Sequence, residues 1–386
     1  MVTVKRLAQI AHRQTNYFIF RFFRLLPLKN KVFFSCFTGK RYDDSPRYIS
    51  ERLHEICPDV QIVWQEHKDC TIDMPAYIKK VKFRSLKSMY EMATSKVWVD
   101  SHLKKTWMKK RREQYFIETW HGGIPFKKIC DDVDDKNKVS AELVWTKYTS
   151  EIADLFISDN DIRSELYRRA FYYKGEILKC GLPRLDPFFK DNAQLKEKIR
   201  ALYNIPGDCL IAAYMPTFRD NPTKEIFDLD FEGARRAVKR RFGKECVFIV
   251  RLHPLMLKQA KEYYTYSDTL IDTTDYPHVQ DLLLASDLLI TDYSSTIMDF
   301  LLTKRPSFLF AVDEASYTKE RGFYKPLNEY PFPLAHSNAE LIKNIEEFNK
   351  EEYLKRITEF EAECGTYNNG TATDTIVEII RERLKQ

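Results

Sequence analysis

The sequence has few glycines and none of the short motifs that mark common nucleotide and metal sites. Only 11 of its 386 residues are glycine, which excludes collagen-like and Gly-rich linker proteins. It contains neither GxxxxGKS/T nor GxGxxG, so a P-loop and a dinucleotide-binding fingerprint are excluded. Its eight cysteines form no CxxC pair, and HExxH does not occur. Zinc-ribbon, thioredoxin-like and HExxH metalloprotease sites therefore have no support.

The first part of the chain lacks acidic residues. Residues 1–42 contain nine Lys or Arg and no Asp or Glu, and they include the apolar run Tyr17–Leu28. Two arginines interrupt this run, which makes it too short to span a bilayer and unlike the uncharged core of a signal peptide. On a helical wheel the apolar side chains gather opposite the arginines, with Ile10 and Phe20 as exceptions. We predict an amphipathic helix within residues 1–30 on an anionic membrane surface, with an ordinary docked helix as the alternative.

A second basic cluster, Lys104–Arg112, reads KKTWMKKRR. Such a cluster binds lipid phosphates or nucleic acid, or it is a solvated helix face. The solvated face is equally expected unless the cluster shares a surface with the N-terminal helix. Nucleic acid is not expected as a partner, because 56 acidic residues nearly balance 62 basic ones and no nucleic-acid-binding module occurs.

Apolar runs of strand length alternate with helical stretches along the chain. Strands that alternate with helices predict an α/β fold with doubly wound parallel sheets. A chain of this length is expected to form two domains, with a boundary near the stretch 180–194, which contains two prolines. We predict Rossmann-like domains at 31–190 and 191–386 that face a ligand-binding cleft. The predicted strands lie at 31–37, 60–65, 96–101, 114–120, 154–159, 209–216, 246–254, 287–292 and 306–312.

The segment LLITDYSSTIMDF is the most informative about a ligand. An apolar strand ends at Asp292, and Ser294, Ser295 and Thr296 then open a helix. Free amides, hydroxyl groups and the positive end of the helix dipole suit this junction to a phosphate. Simple N-capping needs only one hydroxyl, so three in succession favour an anion.

Polar residues also follow two other strands of the same half. Thr217 and Arg219 come after the strand at 209–216, and Arg251 and His253 come after the next strand. Arginine and histidine beside a phosphate-binding helix can neutralise a diphosphate without a metal ion. Each of these residues taken alone is equally consistent with a structural role.

His121 lies on the turn of ETWHGGIPFKK, in the other predicted domain. Gly122 and Gly123 follow it and let a substrate approach the backbone. An imidazole at this position is suited to take a proton from an attacking hydroxyl group. A structural histidine is the more frequent explanation for any single residue of this kind.

Several longer motifs occur in order from about Lys96 to Tyr324. They are SHLKKTWMKKRREQYFIETWHGGIPFKKI, CGLPRLDPFF, YMPTFRD, RLHP and LLLASDLLITDYSSTIMDFLLTKRPSFLFAVD, followed by ERGFY. Together they resemble the CDP-glycerol glycerophosphotransferase family of teichoic-acid and capsule polymer enzymes. The resemblance implies a GT-B fold of two domains and an inverting transfer that needs no cofactor and no obligatory protein-bound metal. In that reaction an acceptor hydroxyl attacks the β-phosphate of CDP-glycerol, and CMP leaves.

The resemblance also implies roles for individual residues. His121 matches the family's proposed catalytic base, and His253 and Ser294–Ser295 match its contacts to the donor pyrophosphate. Apart from the resemblance, the loop 272–281, which ends at Asp281, is the best candidate for reading cytidine because it lies between strands of the donor domain and leads to the phosphate helix, with a solvated connection as the alternative. The predicted site consists of His121 and His253 for catalysis, and of Gly122, Gly123, Thr217, Arg219, Arg251, Asp281, Asp292, Ser294, Ser295 and Thr296 for substrate binding.

Members of the family associate peripherally with the cytoplasmic face of the bacterial membrane, where their lipid-linked or polymeric acceptors lie. Scattered cysteines without a signal peptide agree with a reducing compartment. CDP-ribitol is an alternative donor, because ribitol-phosphate enzymes share these motifs. A GT-B sugar transferase or nucleotide-sugar epimerase is a second alternative, and a non-catalytic membrane-binding protein is a third.

Overall fold

The fold is that of a computed structural model, which describes residues 4–133, 136–219, 223–253, 256 and 262–386. Thirteen strands are described: Lys29–Ser35 (β1), Gln61–Glu66 (β2), Lys79–Lys82 (β3), Ser95–Asp100 (β4), Tyr115–Glu118 (β5), Leu155–Ser158 (β6), Glu176–Lys179 (β7), Leu210–Tyr214 (β8), Cys246–Val250 (β9), Leu270–Asp272 (β10), Leu288–Thr291 (β11), Ser307–Phe310 (β12) and Leu334–Ala335 (β13). The described α-helices are Val4–Phe23 (α1), Asp44–Ile56 (α2), Leu86–Thr94 (α3), Lys136–Ile152 (α4), Asp161–Arg169 (α5), Ala193–Leu202 (α6), Phe231–Phe242 (α7), Val279–Ala285 (α8), Thr296–Leu301 (α9), Glu314–Arg321 (α10), Asn338–Glu346 (α11), Lys350–Cys364 (α12) and Ala372–Lys385 (α13).

The first seven strands form one parallel sheet in the order β3-β2-β1-β4-β5-β6-β7. Its central strands contain continuous apolar runs, as in β1, where Val32, Phe33 and Phe34 are fully buried. Strands covered by helices on both faces need such continuous apolar runs, because neither face meets water. This sheet confirms the predicted α/β fold for the first half of the chain.

The other six strands form a second parallel sheet in the order β10-β9-β8-β11-β12-β13. Its central strands are again buried: Cys246–Val250 is buried throughout, and so is Leu288–Thr291. In both sheets the first strand lies inside the sheet and later strands are added on either side of it. This is the doubly wound order, and it confirms the prediction of two such sheets.

The chain divides into two compact units whose bounds differ from those of the predicted domains. The first unit comprises Met1–His121, Cys130–Asp186 and Thr366–Gln386, and the second comprises Gly122–Ile129 and Pro187–Gly365. The C-terminal residues, predicted to belong to the second domain, thus belong to the first unit, and Gly122–Ile129 belongs to the second.

Contacts of helix α13 explain why the end of the chain belongs to the first unit. Asp374 of α13 accepts a hydrogen bond from Arg52 of α2 at 2.6 Å. Asp186, from the end of the first unit, accepts hydrogen bonds from the amides of Ala372 and Thr373 at 3.1 and 2.6 Å. The carboxylate therefore satisfies amides at the start of the helix that have no partner within the helix.

Helix α1 is anchored to the first unit near its C-terminal end. Phe20 is fully buried and lies against Trp98 and Trp107, with ring centroids 6.4 and 5.8 Å apart. Phe18 and Phe22, on the other side of the helix, are each 63% exposed. Phe20 departs from the predicted amphipathic pattern because it is the residue that docks the helix.

The prediction for the start of α1 falls outside the described side chains, which begin at residue 14. Association with a membrane stays a prediction. Among the helices of the described residues, none is both long and apolar enough to cross a membrane.

The second basic cluster lies next to the end of α1. Trp107 packs on the helix, and the guanidinium of Arg111 donates a hydrogen bond to the carbonyl oxygen of Phe23 at 3.2 Å. Lys104 is an exception within the cluster, because its side chain is buried and bound to Asp100. Lys110 is likewise paired with Asp154, so Arg111 is the cation of the cluster that the described contacts place beside the N-terminal helix.

Candidate active site

His121 follows β5 at the carboxyl edge of the first sheet. Its ring contacts the loops that follow β1 and β4. The centroids of the His121 and Phe37 rings are 5.0 Å apart, and Nδ1 of His121 lies 2.9 Å from the carbonyl oxygen of Ser101. Strands β1 and β4 are the adjacent pair from which the chain winds in opposite directions. Open α/β sheets bind ligands at this position, so His121 lies where the fold places a ligand.

The hydrogen bond to Ser101 determines which ring nitrogen of His121 is free to act as a base. A carbonyl oxygen can only accept, so Nδ1 carries the proton. The lone pair of the neutral ring is then on Nε2. Burial lowers the pKa of His121, and the Ser101 carbonyl and Asp44 oppose this effect only in part. The ring is therefore neutral at pH 7, as a general base must be before it accepts a proton.

Two buried carboxyl groups support the turn that carries His121, and the sequence did not single them out. Asp100 ends β4 and Glu118 ends β5, and the two residues are partners in the sheet register. Lys104 donates a hydrogen bond to Asp100, and the amide of Trp120 donates to Glu118 at 2.9 Å. The only available signal was that an acidic residue ended two successive apolar strands.

Thr217 and Asp292 lie together at the corresponding position of the second sheet. Thr217 comes after β8 and Asp292 directly follows β11, and these strands are the adjacent pair from which the chain winds in opposite directions. A carboxylate oxygen of Asp292 accepts hydrogen bonds from the amides of Thr217 and Tyr293 at 2.8 and 2.6 Å. Asp292 therefore joins the two loops that border the predicted phosphate site.

Arg219 is surrounded by groups of the protein itself. It is 4% exposed, and its guanidinium donates to Asp292 at 2.8 Å and to Asp313 at 2.8 and 3.0 Å. It also lies over the rings of Tyr293 and Tyr317. Burial disfavours its charge, but the two carboxylates outweigh that effect and raise the pKa of Arg219. These contacts indicate that Arg219 holds the loops together, whereas the sequence predicted a contact with substrate.

The hydroxyl groups predicted to bind phosphate lie on half-buried residues at the start of α9. The hydroxyl of Thr296 donates to Oγ of Ser294 at 2.9 Å. Ser295 is the N-cap residue of α9, but its side chain makes no capping hydrogen bond. Thr217 contributes a fourth hydroxyl from the other loop, and its Oγ1 is buried without a hydrogen-bond partner among the described residues. The helix has only six residues, so its dipole is small. Hydrogen bonds from amides and hydroxyls would therefore contribute more to binding an anion.

Arg251, Tyr276 and Asp281 form a chain of hydrogen bonds beside this site. Arg251 donates to the carbonyl oxygen of Tyr276 at 3.2 Å, and the hydroxyl of Tyr276 donates to Asp281 at 2.9 Å. The structure thus connects the predicted cytidine-reading loop with the strand-end arginine. His253 is exposed, with its ring 5.4 Å from that of Phe218.

Gly122 and Gly123 begin the segment Gly122–Ile129, which belongs to the second unit. At Gly122 the backbone has φ +80°, and a Cβ there would lie 3.4 Å from Oγ of Ser295. Further along, the amide of Lys128 donates to the carbonyl oxygen of Gly322 at 3.1 Å, and the amide of Tyr324 donates to that of Phe126 at 2.9 Å. The residue that follows His121 in the chain therefore lies against the hydroxyl-rich turn of the second unit.

Two contributors to this second site were missed from the sequence, Asp313 and Tyr293. Asp313 follows β12 by three residues and accepts from both Arg219 and the hydroxyl of Tyr293. Burial opposes ionisation of Asp313, but Arg219 lowers the pKa of its carboxyl group below the ordinary value. Asp313 is the last residue of the longest motif that carries the family resemblance. Its position shortly after an apolar strand was a signal that it could belong to the site.

The family to which this protein belongs follows from comparison with known proteins. The model of the family "CDP-Glycerol:Poly(glycerophosphate) glycerophosphotransferase" matches residues 18–382. The chain belongs to this family. The predicted resemblance is thereby confirmed, and with it the class of enzyme, a glycerophosphotransferase.

Relatives in the glycerophosphotransferase family agree over most of the chain. A teichoic acid glycerol-phosphate transferase of Staphylococcus aureus is 29% identical, and the match covers 98% of each protein. A teichoic acid poly(glycerol phosphate) polymerase of Staphylococcus epidermidis is 30% identical over 92% of this chain. The match spans 51% of that polymerase, so this chain has about half its length.

The solved structure of the wall teichoic acid polymerase TagF matches this glycerophosphotransferase in fold. Its TM-score is 0.84 at 26% identity, and the match covers 100% of this chain and 99% of the other. Together with the two doubly wound sheets, this match confirms the predicted GT-B class. Within the described residues no three His, Cys, Asp or Glu side chains form a group suited to a metal ion. A transfer without a protein-bound metal stays a prediction.

Proposed function

We propose that this chain transfers glycerol phosphate from CDP-glycerol to a hydroxyl group of a lipid-linked or polymeric teichoic-acid-type acceptor, with release of CMP. One observation carries the proposal. A neutral histidine with its lone pair on Nε2 is followed directly in the chain by Gly122, which lies against Ser295 of the hydroxyl-rich turn. A general base and a set of hydrogen-bond donors suited to phosphate are what this reaction requires.

In the proposed reaction His121 acts on the acceptor. Nε2 takes the proton of the acceptor hydroxyl as its oxygen forms a bond to the β-phosphorus of CDP-glycerol. The bond between the β-phosphorus and the bridging oxygen breaks, and its electron pair leaves with CMP. The carbonyl of Ser101 keeps the proton on Nδ1, and it stabilises the imidazolium that forms during the step.

The donor diphosphate is assigned to the second unit. Hydroxyls of Ser294, Ser295 and Thr217 and nearby backbone amides are the donors we expect to contact its oxygens. Arg251 follows β9 and supplies positive charge beside them, His253 offers a ring nitrogen on the same loop, and the Tyr276–Asp281 loop is assigned to cytidine. Arg219 is not needed as a direct contact, because Asp292 and Asp313 already occupy its guanidinium.

The experiment that tests this function offers purified protein CDP-glycerol or CDP-ribitol with a panel of defined acceptors. We expect CMP and an acceptor heavier by one or more glycerol phosphate units, detected by mass spectrometry. Turnover with CDP-ribitol but not with CDP-glycerol would show that the donor is CDP-ribitol. Release of a nucleoside diphosphate from a nucleotide sugar would overturn the reaction class. Repeated addition to one acceptor would identify a polymerase, and a single addition a primase.

We also propose that the enzyme works as a peripheral protein on the cytoplasmic face of the membrane. Phe18, Phe22 and Leu25 are 63%, 63% and 80% exposed, and their spacing of four and three residues places them on one side of the chain near the end of α1. Arg111 of the basic cluster adjoins the same end of the helix. Exposed apolar side chains beside arginines are suited to an anionic lipid surface.

Liposome sedimentation tests this location. Replacing Phe18, Phe22 and Leu25 by Ser is expected to weaken binding to vesicles that contain anionic phospholipid, and transfer to a soluble acceptor should continue. Phe189, also exposed, provides the control, because F189S removes an exposed aromatic ring from the second unit. Equal binding by the triple variant and the wild type would exclude the helix as the membrane contact.

A further inference from the structure

Glu118 and Asp100 place two carboxyl groups side by side at the edge of the first sheet. They are register partners at the ends of β4 and β5, and they are 0% and 3% exposed. One cation, Lys104, accompanies them, and its Nζ donates to Asp100. Since one lysine cannot compensate two buried carboxylates, one of the two groups must be neutral for the cluster to avoid an uncompensated negative charge.

The hydrogen bonds identify Glu118 as the neutral group. Asp100 accepts from Lys104 and also from the amide of His102 at 3.1 Å. Glu118 accepts from the amide of Trp120 at 2.9 Å through Oε1, and its Oε2 has no hydrogen-bond partner among the described residues. An ionised carboxylate in that environment would lack a counter-charge. In agreement with this, burial and the neighbouring Asp100 raise the pKa of Glu118 well above its ordinary value.

Glu118 and Asp100 hold in place the two groups that contact the His121 ring, the ring of Trp120 and the carbonyl of Ser101. The backbone amide of Trp120 donates a hydrogen bond to Glu118. Trp120 has φ +53°, a left-handed conformation that is costly for a residue with a side chain. Its ring stacks on His121 with centroids 4.3 Å apart. On the other side, Asp100 fixes the loop that begins with Ser101, whose carbonyl oxygen binds Nδ1 of His121.

We propose that Glu118 is a positioning residue for His121 and that it acts in its neutral, protonated form, by accepting the Trp120 amide hydrogen and so holding the strained turn. The proposal rests on the proposed function in taking His121 as the base, but the position of the ring can be measured without activity. An amide side chain should therefore replace Glu118, because Gln is neutral and retains an oxygen acceptor of the same reach.

Three variants of the full-length protein separate this role from general stability. E118Q keeps the acceptor without a titratable proton, and E118L removes the acceptor at similar volume. The control is E91Q, because Glu91 is also 2% exposed in the first unit but is paired with Lys31 and Lys79. Glu91 is thus a buried carboxylate that is paired with two lysines, neither of which belongs to the His121 turn.

Imidazole nitrogen NMR spectra report the position of the ring directly. With the His121 signal assigned from H121Q, we expect wild type, E118Q and E91Q to show the proton on Nδ1, and E118L to show a mixture of tautomers. If E118L fails to fold, E118Q still decides the proposal: loss of the Nδ1–H form in this folded variant would overturn it. An unchanged ring in folded E118L would overturn it as well.

Stability as a function of pH tests the protonation state. A carboxyl group with a raised folded-state pKa contributes stability at low pH, which is lost as the pH rises above the unfolded value of about 4.3 towards the folded one. We therefore expect E118Q to gain in melting temperature relative to wild type between pH 5 and 8. E91Q should have a lower melting temperature than wild type, because it leaves Lys31 without its counter-charge. A lower melting temperature for E118Q at pH 8 than at pH 5, each relative to wild type, would show that Glu118 is ionised.

Activity supplies the link to the reaction. We expect E118Q to keep kcat within about threefold of wild type, and E118L to lose roughly tenfold or more in kcat with little change in KM for CDP-glycerol, since misplacement of a catalytic group acts on the chemical step. Equal loss in E118Q and E118L would overturn the proposal. If H121A were fully active, the proposed base would be wrong, whereas the NMR and stability results on Glu118 would stand.

Discussion

One buried cation accompanies two carboxyl groups at the carboxyl edge of each sheet, but within the described residues Lys104 forms an ion pair with Asp100 and not with Glu118, whereas Arg219 forms ion pairs with both Asp292 and Asp313. At the first sheet, two buried carboxyl groups lie beside one lysine, and the residue presented above them is a neutral histidine. At the second sheet, one buried arginine lies between Asp292 and Asp313, and the groups presented are hydroxyls. In each case the buried ionisable groups hold the loops in place, and the groups left for the substrate on these loops are a neutral histidine or hydroxyls.

This difference shows which residues are expected to carry chemistry. Arg219 has the charge that a diphosphate would attract, but its contacts assign it to the support of the site. His121 has a lowered pKa, and the hydrogen bond of its Nδ1 to Ser101 leaves Nε2 available. The comparison predicts that replacing His121 affects turnover first, and that replacing Arg219 affects stability first.

The largest expected effect is that of H121A. Removal of a general base lowers turnover by about 10²–10⁴-fold, while CDP-glycerol should still bind, because its donors lie in the second unit. CMP release and calorimetric binding of CDP-glycerol measure the two quantities. H336A, which removes an exposed histidine paired with Glu314, is the control and should keep wild-type turnover. Wild-type turnover in H121A would remove His121 from the role of base.

R219M is expected to act mainly on folding. It leaves Asp292 and Asp313 buried without their shared cation, and breaking a buried pair typically lowers the free energy of unfolding by about 3–5 kcal/mol. Urea denaturation measures this value. The control is R240M, whose guanidinium pairs with Glu346 at the surface, and which should change it by about 0–1 kcal/mol. A stable R219M protein that no longer binds CDP-glycerol would make Arg219 a substrate contact.

S294A and S295A should weaken donor binding without lowering stability. Each removes one hydroxyl from the proposed phosphate site, and a lost hydrogen bond to a charged group corresponds to about a tenfold increase in Kd. Calorimetry with CDP-glycerol measures this change. T318A, which removes a surface hydroxyl bonded to Glu314, is the matched control. Unaltered affinity in both serine variants would place the diphosphate elsewhere.

The smallest expected effect is the position of the acid limb in the pH profile. Because burial lowers the pKa of His121, the ring stays neutral below the ordinary value of about 6.5. As the pH falls, kcat/KM should therefore remain constant through pH 6.5 and decline only at lower values. A decline that begins above pH 7 would show that the base is charged near neutrality. The first edge would then present a charged group to the substrate and not a neutral one.

The sequence predicted the interior of both sheets but not their edges. Nine strands were predicted from apolar runs, and all nine are present. The four that were missed, β3, β7, β10 and β13, are the outermost strands of the two sheets. Lys79–Lys82 reads KKVK, and Leu334–Ala335 has two residues. An edge strand has one unpaired side and less apolar surface to bury, so its sequence carries a weaker signal.

The sequence by itself determined the family, the two doubly wound sheets and the strand ends at which His121, Thr217 and Asp292 are found, because apolar periodicity and ordered motifs are local properties of the chain. Only the tertiary structure decided what those side chains contact. It assigned Arg219 to two carboxylates, placed Glu118 beside Asp100, and fixed the proton of His121 on Nδ1. These outcomes depend on burial and on partners up to 94 residues apart in sequence, as for Arg219 and Asp313, and no local pattern encodes them.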